Sequence, residues 1–447
     1  MVDVPPDNAS DKPKSRKPHA LTPVPPAPIW QEEVNGLKDV SDSLAVSLWR
    51  VLRRIRIWSS TEPAKREGLF NLAEESQESM GYACAEAPQL IEPFGTFTFM
   101  RRAPRLASNQ QVAGACRQVS EWAESHSLML TGMHFAEAAA IVDSEDPALA
   151  KYAAMMCRRC ALYDRSASWY DRAYGLAVRL RHTNLTVSRD ESIRALLGYG
   201  SLMQFLGRFE EAQKFYERGA KRARRFQRRS LAAQALHDLM TFSAELGPYR
   251  VGLDYAASAL DLYPIQAPQI PGLAHDWGFL LVQNRYYTYA VPVLKLAASV
   301  VPAPGLQALF WGTLARAAAG AGRAELAEEA KHKAFSRIQL FDEYAPAVLI
   351  HLTETTRSLG QWDEARSLAE LAVQSSRERK VIEPERIALD LVEQVKNSVT
   401  PLREEQPPEP DRIERLNRRM LARLRQWKAP GSSAPEAPPK PPQDDGS

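Results

Sequence analysis

The sequence predicts an all-α fold built from a repeated pair of helices. Through the middle of the 447-residue chain, apolar residues recur at intervals of three and four, with no sustained alternation of period two. Prolines are rare there and concentrate at both ends, where they favour disorder. A pattern of small and large residues also returns every 37 to 40 positions, which is typical of a solenoid that stacks helix pairs along one axis.

The N-terminal part is predicted to hold a disordered tail and a cap. Residues 1–40 contain eight prolines before Trp30, so we expect no packed structure there. Residues 41–107 form a predicted helical capping region. Within it, SLAVSLWRVLRRIRIWSS carries an apolar stripe through Leu44, Leu48, Ile55 and Trp58. We favour packing of this helix over the open end of the array, with binding to a membrane surface as the alternative.

The repeat is clearest in its second helix, with LGRFEEAQKFYERGAKRA as the reference copy. A small anchor residue lets this helix approach its neighbour, and the anchors follow one another at spacings of 40, 38, 37 and 38. A large residue stands thirteen positions before each anchor, and the turn five positions before it carries glycine in four copies and Arg285 in the fifth. The anchors are Ala212, Gly252, Ala290, Ala327 and Ala365.

This code of small and aromatic residues on paired helices resembles the tetratricopeptide repeat family, with LGRFEEAQKFYERGA and LGQWDEARSLAELAV as its clearest copies. The resemblance covers residues 108–396 and about seven helix pairs, two of them weaker. It implies a right-handed superhelical α-α solenoid. The spacing of 37 to 40 exceeds the family norm of about 34, so we expect longer helices and a looser pitch.

In such solenoids the first helix of each pair lines the concave groove, so candidate partner-binding residues follow from the repeat phase. The resulting set is mixed and leans basic. It lacks the asparagines with which family members hold an acidic C-terminal carboxylate, so a general protein- or peptide-binding groove is favoured over carboxylate capture. The predicted groove residues are Lys151, Arg158, Arg194, Gln234, His237, Thr241, His275, Phe279, Arg316, Glu354 and Arg357.

Two His-Asp dipeptides, His237-Asp238 and His275-Asp276, occupy the same phase of adjacent repeats, 38 residues apart. Two imidazoles and two carboxylates are a plausible metal shell. Coincidence or a capping interaction is favoured, because no further ligand is evident. We therefore predict no metal and no cofactor.

Other patterns restrict the function. A net charge of +3 implies no particular partner, and the cysteines are too few and scattered for a disulfide scaffold. The CRRC run from Cys157 to Cys160 has no second Cys/His pair at zinc-site spacing, so we favour two half-buried helix residues. No run of eighteen apolar residues and no signal-peptide pattern is present, which favours a cytoplasmic protein. No phosphate-binding loop, nucleophile elbow or H-E-x-x-H motif occurs, so we predict no enzyme.

The C-terminal part is predicted to hold an acidic Pro-rich linker at 397–410, a basic amphipathic helix at 411–428 and a disordered tail at 429–447. The helix either binds nucleic acid, anionic lipid or an acidic partner, or it folds back on the last repeat. A second basic run, KFYERGAKRARRFQRR from Lys214 to Arg229, is interpreted as a solvated convex face. The leading prediction is a scaffold that binds a protein or peptide. The alternative is a regulatory protein whose solenoid senses a partner while its Arg-rich C-terminal helix contacts nucleic acid or an anionic membrane surface.

Overall fold

The computed structural model describes residues 21–25, 37–70, 85–246, 249–301, 304–338, 343–399, 401 and 404–427. Within these residues every regular element is a helix, so the predicted all-α fold of helix pairs is confirmed there. The chain divides into two compact units, Met1–Leu202 and Met203–Ser447. The tails predicted to be disordered lie outside the described residues, except for 21–25 and 37–40. No helix in these segments combines the length and the apolar content needed to cross a membrane.

The first unit begins with two helices that precede the repeats, and its later helices follow one another through short turns. Its helices are α1 (Asp42–Ser60), α2 (Ile91–Arg102), α3 (Asn109–Ser125), α4 (Met129–Val142), α5 (Pro147–Arg159), α6 (Tyr163–Arg179) and most of α7 (Leu185–Phe205).

Within the described residues, the second unit contains the end of α7, four complete helix pairs and three further helices. These helices are α8 (Phe209–Arg225), α9 (Arg229–Leu246), α10 (Tyr249–Leu262), α11 (Ile270–Gln283), α12 (Tyr287–Val300), α13 (Pro304–Gly320), α14 (Ala324–Phe335), α15 (Ala345–Ser358), α16 (Trp362–Glu378), α17 (Ile382–Lys396) and α18 (Pro410–Gln426).

Along the described chain, the helices from α3–α4 to α15–α16 form seven consecutive pairs. The two members of pairs such as α3–α4, α9–α10 and α13–α14 pack against each other. First helices also pack on first helices, as α9 does on α11 and α13 on α15, and α17 continues this row by packing on α15. Within the second unit, each of these pairs therefore covers the apolar face of the next one, as a helical repeat requires.

The repeat positions found in the sequence are the contact points between helices. The anchors Ala212, Ala290, Ala327 and Ala365 are each 0% exposed. At the glycine anchor, Gly252, a Cβ atom would lie 2.8 Å from Leu280 Cδ2, so even alanine would crowd the neighbouring helix. Small residues on second helices thus let large residues of first helices fill the core.

The first helix of the chain packs on the first repeat pair. The apolar face of α1, with Leu48, Ile55 and Trp58 each 0% exposed, is buried in the first unit, and α1 contacts α4. Just before α1, the Asp39 carboxylate accepts a hydrogen bond from the Leu130 backbone N–H at 2.8 Å and one from the Thr131 hydroxyl at 2.6 Å. These bonds satisfy the N-terminus of α4.

The last helix, α18, packs on α10, α11 and α12, in the middle of the second unit's pairs and away from the last pair α15–α16. Ile413 and Met420 are each 0% exposed beneath it. The Trp277 indole N–H donates to the Asn417 side-chain carbonyl at 2.7 Å, and the Asn417 amide donates to the Tyr289 carbonyl at 2.8 Å. The basic helix is therefore bound within the chain through its apolar face.

The acidic segment before α18 is also held in place. The Glu404 carboxylate accepts hydrogen bonds from the Thr288 backbone N–H at 2.6 Å and from the Thr288 hydroxyl at 2.9 Å, at the N-terminus of α12. Glu405 forms an ion pair with Arg285. A carboxylate at a helix N-terminus is favourable because it accepts from unpaired backbone N–H groups and faces the positive end of the helix dipole.

Candidate binding groove

The first helices of the second unit present a row of interacting polar side chains on α9, α11, α13 and α15, which α17 extends. We call the surface formed by these helices the groove. It contains eight of the eleven predicted partner-binding residues, and the other three lie in the first unit. The eight are Gln234, His237, Thr241, His275, Phe279, Arg316, Glu354 and Arg357.

One part of the groove is a hydrogen-bonded network centred on Asp276. The His237 ring of α9 bonds through Nε2 to Asp276 Oδ2 at 2.8 Å, and the His275 ring bonds through Nδ1 to Asp276 Oδ1 at 2.7 Å. His275 Nε2 lies 3.0 Å from the Thr313 hydroxyl on α13, and the His275 ring stacks on Phe310 at 4.1 Å. The two predicted histidines are thus brought together through one shared carboxylate.

Burial and hydrogen bonding shift the pKa values of Asp276, His237 and the neighbouring Asp238. Burial acts against the charged forms, but the hydrogen bonds from His237 and His275 outweigh it and hold the pKa of the Asp276 carboxyl below its ordinary value. Burial also opposes the charge on His237, yet its bond to Asp276 raises its pKa. For Asp238, burial dominates and raises the pKa to about 7. His237, His275 and Asp276 therefore use their polar atoms for hydrogen bonds to one another.

In the described segments, no group of three or more His, Cys, Asp or Glu side chains is arranged to hold a metal ion.

Two further predicted groove residues take no part in the Asp276 network. The Thr241 hydroxyl donates to the His237 carbonyl of its own helix at 2.9 Å, and Gln234 is half-buried on α9.

A second part of the groove is a chain of polar contacts across four helices. Arg316 on α13 donates to the Gln283 side-chain carbonyl on α11 at 3.0 Å and lies 3.9 Å from the Glu354 carboxylate on α15. Glu354 also pairs with Arg357 at 2.9 Å, and Arg357 donates to Gln394 on α17. The predicted residues Arg316, Glu354 and Arg357 are therefore joined, with each charge paired.

Beside this chain lies a cavity of about 440 Å³. Three predicted residues line it: Phe279, Arg316 and Glu354. The rest of the lining comes from Gln283, Val381, residues 204–209, residues 343–351 and the start of α17. Its apolar part is rich in rings and branched side chains: Phe205, Phe209, Phe279, Tyr344, Ile350 and Ile387. The volume falls in the range of about 300 to 1,000 Å³ that is usual for ligand pockets, and an apolar lining with a few polar groups is typical of them.

His351 is a lining residue that the sequence analysis missed. It is 4% exposed, and its ring meets Phe279 edge-on at 5.7 Å. Its Nδ1 atom is buried without a hydrogen-bond partner. Burial, together with the positive charges of Arg316 and His275, holds the pKa of His351 well below its ordinary value, so the ring is neutral near pH 7. A neutral imidazole with an unused nitrogen can donate or accept one further hydrogen bond.

A signal for His351 was present in the sequence. Counting on by 38 residues from His237 gives His275, then Thr313, and then His351. The structure shows that the second and third of these positions are hydrogen-bonded to each other. Applying the 38-residue spacing of the two histidines to the next two repeats would have identified Thr313 and His351 as members of the same row.

Of the three predicted residues in the first unit, two share one carboxylate. Lys151 lies 3.8 Å from the Glu191 carboxylate, and Arg194 bonds to the same carboxylate at 2.5 Å. Burial, partly offset by Glu191, lowers the pKa of Lys151. Arg158 is half-buried on α5. The nearby Cys157 is buried, and its thiol lies 3.4 Å from Glu137 Oε1.

Comparisons with known proteins do not identify a family. No protein-family model matches the chain, and no curated protein matches it in sequence. Among solved structures, the apo form of RapI is 11% identical with a TM-score of 0.47, covering 76% of this chain and 97% of that one. A Rap protein complexed with competence and sporulation factor is 12% identical with a TM-score of 0.41, covering 80% and 98%. BtubC from P. vanneervenii is 16% identical with a TM-score of 0.36, covering 51% and 90%. With all three TM-scores below 0.5, these likenesses assign neither a family nor a function to this chain.

Proposed function

We propose that this protein is a non-catalytic scaffold or adaptor of the tetratricopeptide type, whose groove binds a segment of another protein. The observation that carries the proposal is the cavity of about 440 Å³ among α11, α13, α15 and the start of α17. Its rings and branched side chains offer apolar surface to a partner. Each large apolar side chain that a partner buries there contributes roughly 1.5 to 3 kcal/mol before the costs of association.

The charges around the cavity favour an apolar or amphipathic segment over a free carboxylate terminus. Arg316 is paired with Glu354, and Arg386 bonds to Glu383 at 2.5 Å, so both lining arginines have acidic partners. A terminal carboxylate would have to compete with these carboxylates for the same donors. An amphipathic helix or extended peptide instead places apolar side chains in the cavity and a polar group beside His351.

The proposal is tested by selecting random peptides displayed on phage with the full chain and measuring the affinity of a selected peptide by fluorescence anisotropy. Ala347→Arg places a long charged side chain at a half-buried lining position, and we expect it to weaken binding at least tenfold. Ala324→Arg is the matched control, because it adds the same side chain at an exposed position on the second helix α14. Equal affinity of the two variants would place the binding site elsewhere and contradict the proposal.

A further inference from the structure

Two Arg-rich segments that are far apart in the sequence meet at the C-terminal end of α10. The first runs from Arg218 to Arg229 and has seven basic residues and no acidic one. The second runs from Arg415 to Trp427 and has five basic residues and no acidic one. The sequence suggested that the two segments could act together but did not show that they meet.

Their meeting point is defined by contacts to the last residues of α10. Arg229 donates to the Asp261 carbonyl at 2.8 Å, and Arg419 forms an ion pair with the Asp261 carboxylate. Arg423 donates to the Tyr263 carbonyl at 3.0 Å. Cations at this end of a helix interact favourably with its unpaired carbonyls and its dipole, so these contacts hold α9 and α18 next to each other.

Several other basic side chains of the two segments are exposed. On α18 the buried face is formed by residues such as Ile413 and Met420, so residues on the opposite side of the helix, Arg418 and Arg425, are exposed. On α8, Lys221 and Arg224 are exposed in the same way. We call these four residues, together with Arg225, Arg229, Arg415 and Arg419, the basic surface.

We propose that the basic surface binds the phosphate backbone of double-stranded nucleic acid without sequence preference. Arginine supplies planar donors that match phosphate oxygens, and the basic side chains of this surface outnumber the Asp261 carboxylate that pairs with Arg419, so they can give the counterion release on which such binding depends. This site is separate from the groove, so the inference does not rest on the proposed peptide binding.

The chemistry of the surface favours a duplex over the other polyanions. An amphipathic helix binds a membrane by inserting its apolar face, but the apolar face of α18 is already buried in the protein. Single-stranded nucleic acid is bound through exposed aromatic rings, whereas Tyr216 and Trp427 are 2% and 8% exposed and Phe226 is half-buried. The basic surface therefore offers positive charge without an apolar face or exposed rings, and this fits the regularly spaced phosphates of a duplex.

The test is fluorescence anisotropy of the full chain with a labelled duplex of arbitrary sequence, across a range of salt concentrations. The surface variant carries Lys221→Gln, Arg224→Gln, Arg418→Gln and Arg425→Gln. The control removes the same number of positive charges at exposed positions elsewhere in the second unit, with Arg323→Gln, Arg366→Gln, Lys380→Gln and Lys396→Gln. Circular dichroism checks that both variants remain helical.

We expect wild type and control to bind with a steep inverse dependence on salt. The surface variant should bind at least tenfold more weakly, with the slope of log K against log salt reduced by about three to four, because each lost phosphate contact removes about 0.9. Equal weakening of both variants would show that overall charge, not this surface, is responsible. Absence of duplex binding by wild type, tighter binding to single strands, or binding to anionic vesicles alone would each overturn the inference.

Discussion

At the scale of single residues, the turn inside a helix pair depends on one residue with a left-handed backbone wherever the structure describes that turn. Gly207, Gly322 and Gly360 have φ values of 70°, 71° and 75°, and Arg285 adopts the same conformation at 61°. The residue that follows donates its N–H to a carbonyl five positions earlier, as Tyr286 does to Leu281 at 2.9 Å. This bonding closes the end of the first helix. Glycine adopts the conformation freely, whereas other residues incur roughly 1 to 2 kcal/mol.

Ala161 provides a direct test of this turn. It has φ 58° between α5 and α6, and Leu162 donates to the Cys157 carbonyl at 2.9 Å in the same pattern. We expect Ala161→Gly to raise the free energy of unfolding by about 0.5 to 1 kcal/mol, because relief of strain exceeds the entropy that glycine loses. Gly322→Ala should lower it by a similar amount, since a Cβ there meets no atom within 4 Å and only the backbone is strained. Urea unfolding measures both, and no change in either variant would contradict the account.

Much at this scale could be predicted from the sequence, but the pairing of side chains could not. Residue type and spacing identified the turn glycines, because left-handed backbone strongly favours glycine. The same reasoning treated Arg285 as an exception, although its backbone follows the rule. Repeat phase also placed His237 and His275 on one face, but the role of Asp276 as their common acceptor depends on side-chain directions that spacing does not fix.

At the scale of helices, α18 shows how an apolar stripe is used. Ile413, Leu416, Met420 and Leu424 are all 3% exposed or less, so the helix contributes several buried apolar side chains to the second unit. The paired hydrogen bonds of Asn417 fix its position along α11 and α12, because a shift by one turn would leave the buried Trp277 N–H unpaired.

Met420→Asp should release α18 from the second unit. It removes a fully buried side chain and places a carboxylate in an apolar contact, which costs at least about 3 kcal/mol. We expect faster tryptic cleavage within residues 404–425 and a lower unfolding temperature. Ala422→Asp puts the same carboxylate on the exposed side of the helix and serves as the matched control. Equal protection of the two variants from trypsin would show that the contact with α10, α11 and α12 does not hold the helix.

The sequence predicted the amphipathic helix but not where it binds. Hydrophobic periodicity predicts that one face of the helix is buried, but it does not indicate which part of the protein or of a partner covers that face. The two alternatives considered were an external partner and the last repeat, whereas the observed contact is with α10, α11 and α12. Asn417 was the available signal, because an amide within an apolar stripe requires a specific partner.

At the scale of the molecule, the second unit has a cavity that no single repeat could form by itself. The cavity is lined by α11, α13 and α15, by the start of α17 and by residues 204–209. Near one edge, a Cβ on Gly207 would lie 4.0 Å from Ile382 Cβ, although these residues are far apart in the sequence. The position of a residue in the repeat predicts which face of its helix it occupies. The short distance between Gly207 and Ile382, however, depends on the rotation of each helix pair relative to the one before it, which accumulates along the array. The lining could therefore be predicted only in part.

Hydrogen–deuterium exchange of the full chain, with and without a saturating selected peptide, tests the central claim that the groove of the second unit is the binding site. The account predicts slower exchange in α13, α15 and the first turns of α17, with no change in α3 to α6 or in α18. Protection confined to the first unit or to α18, or no protection at saturation, would contradict it.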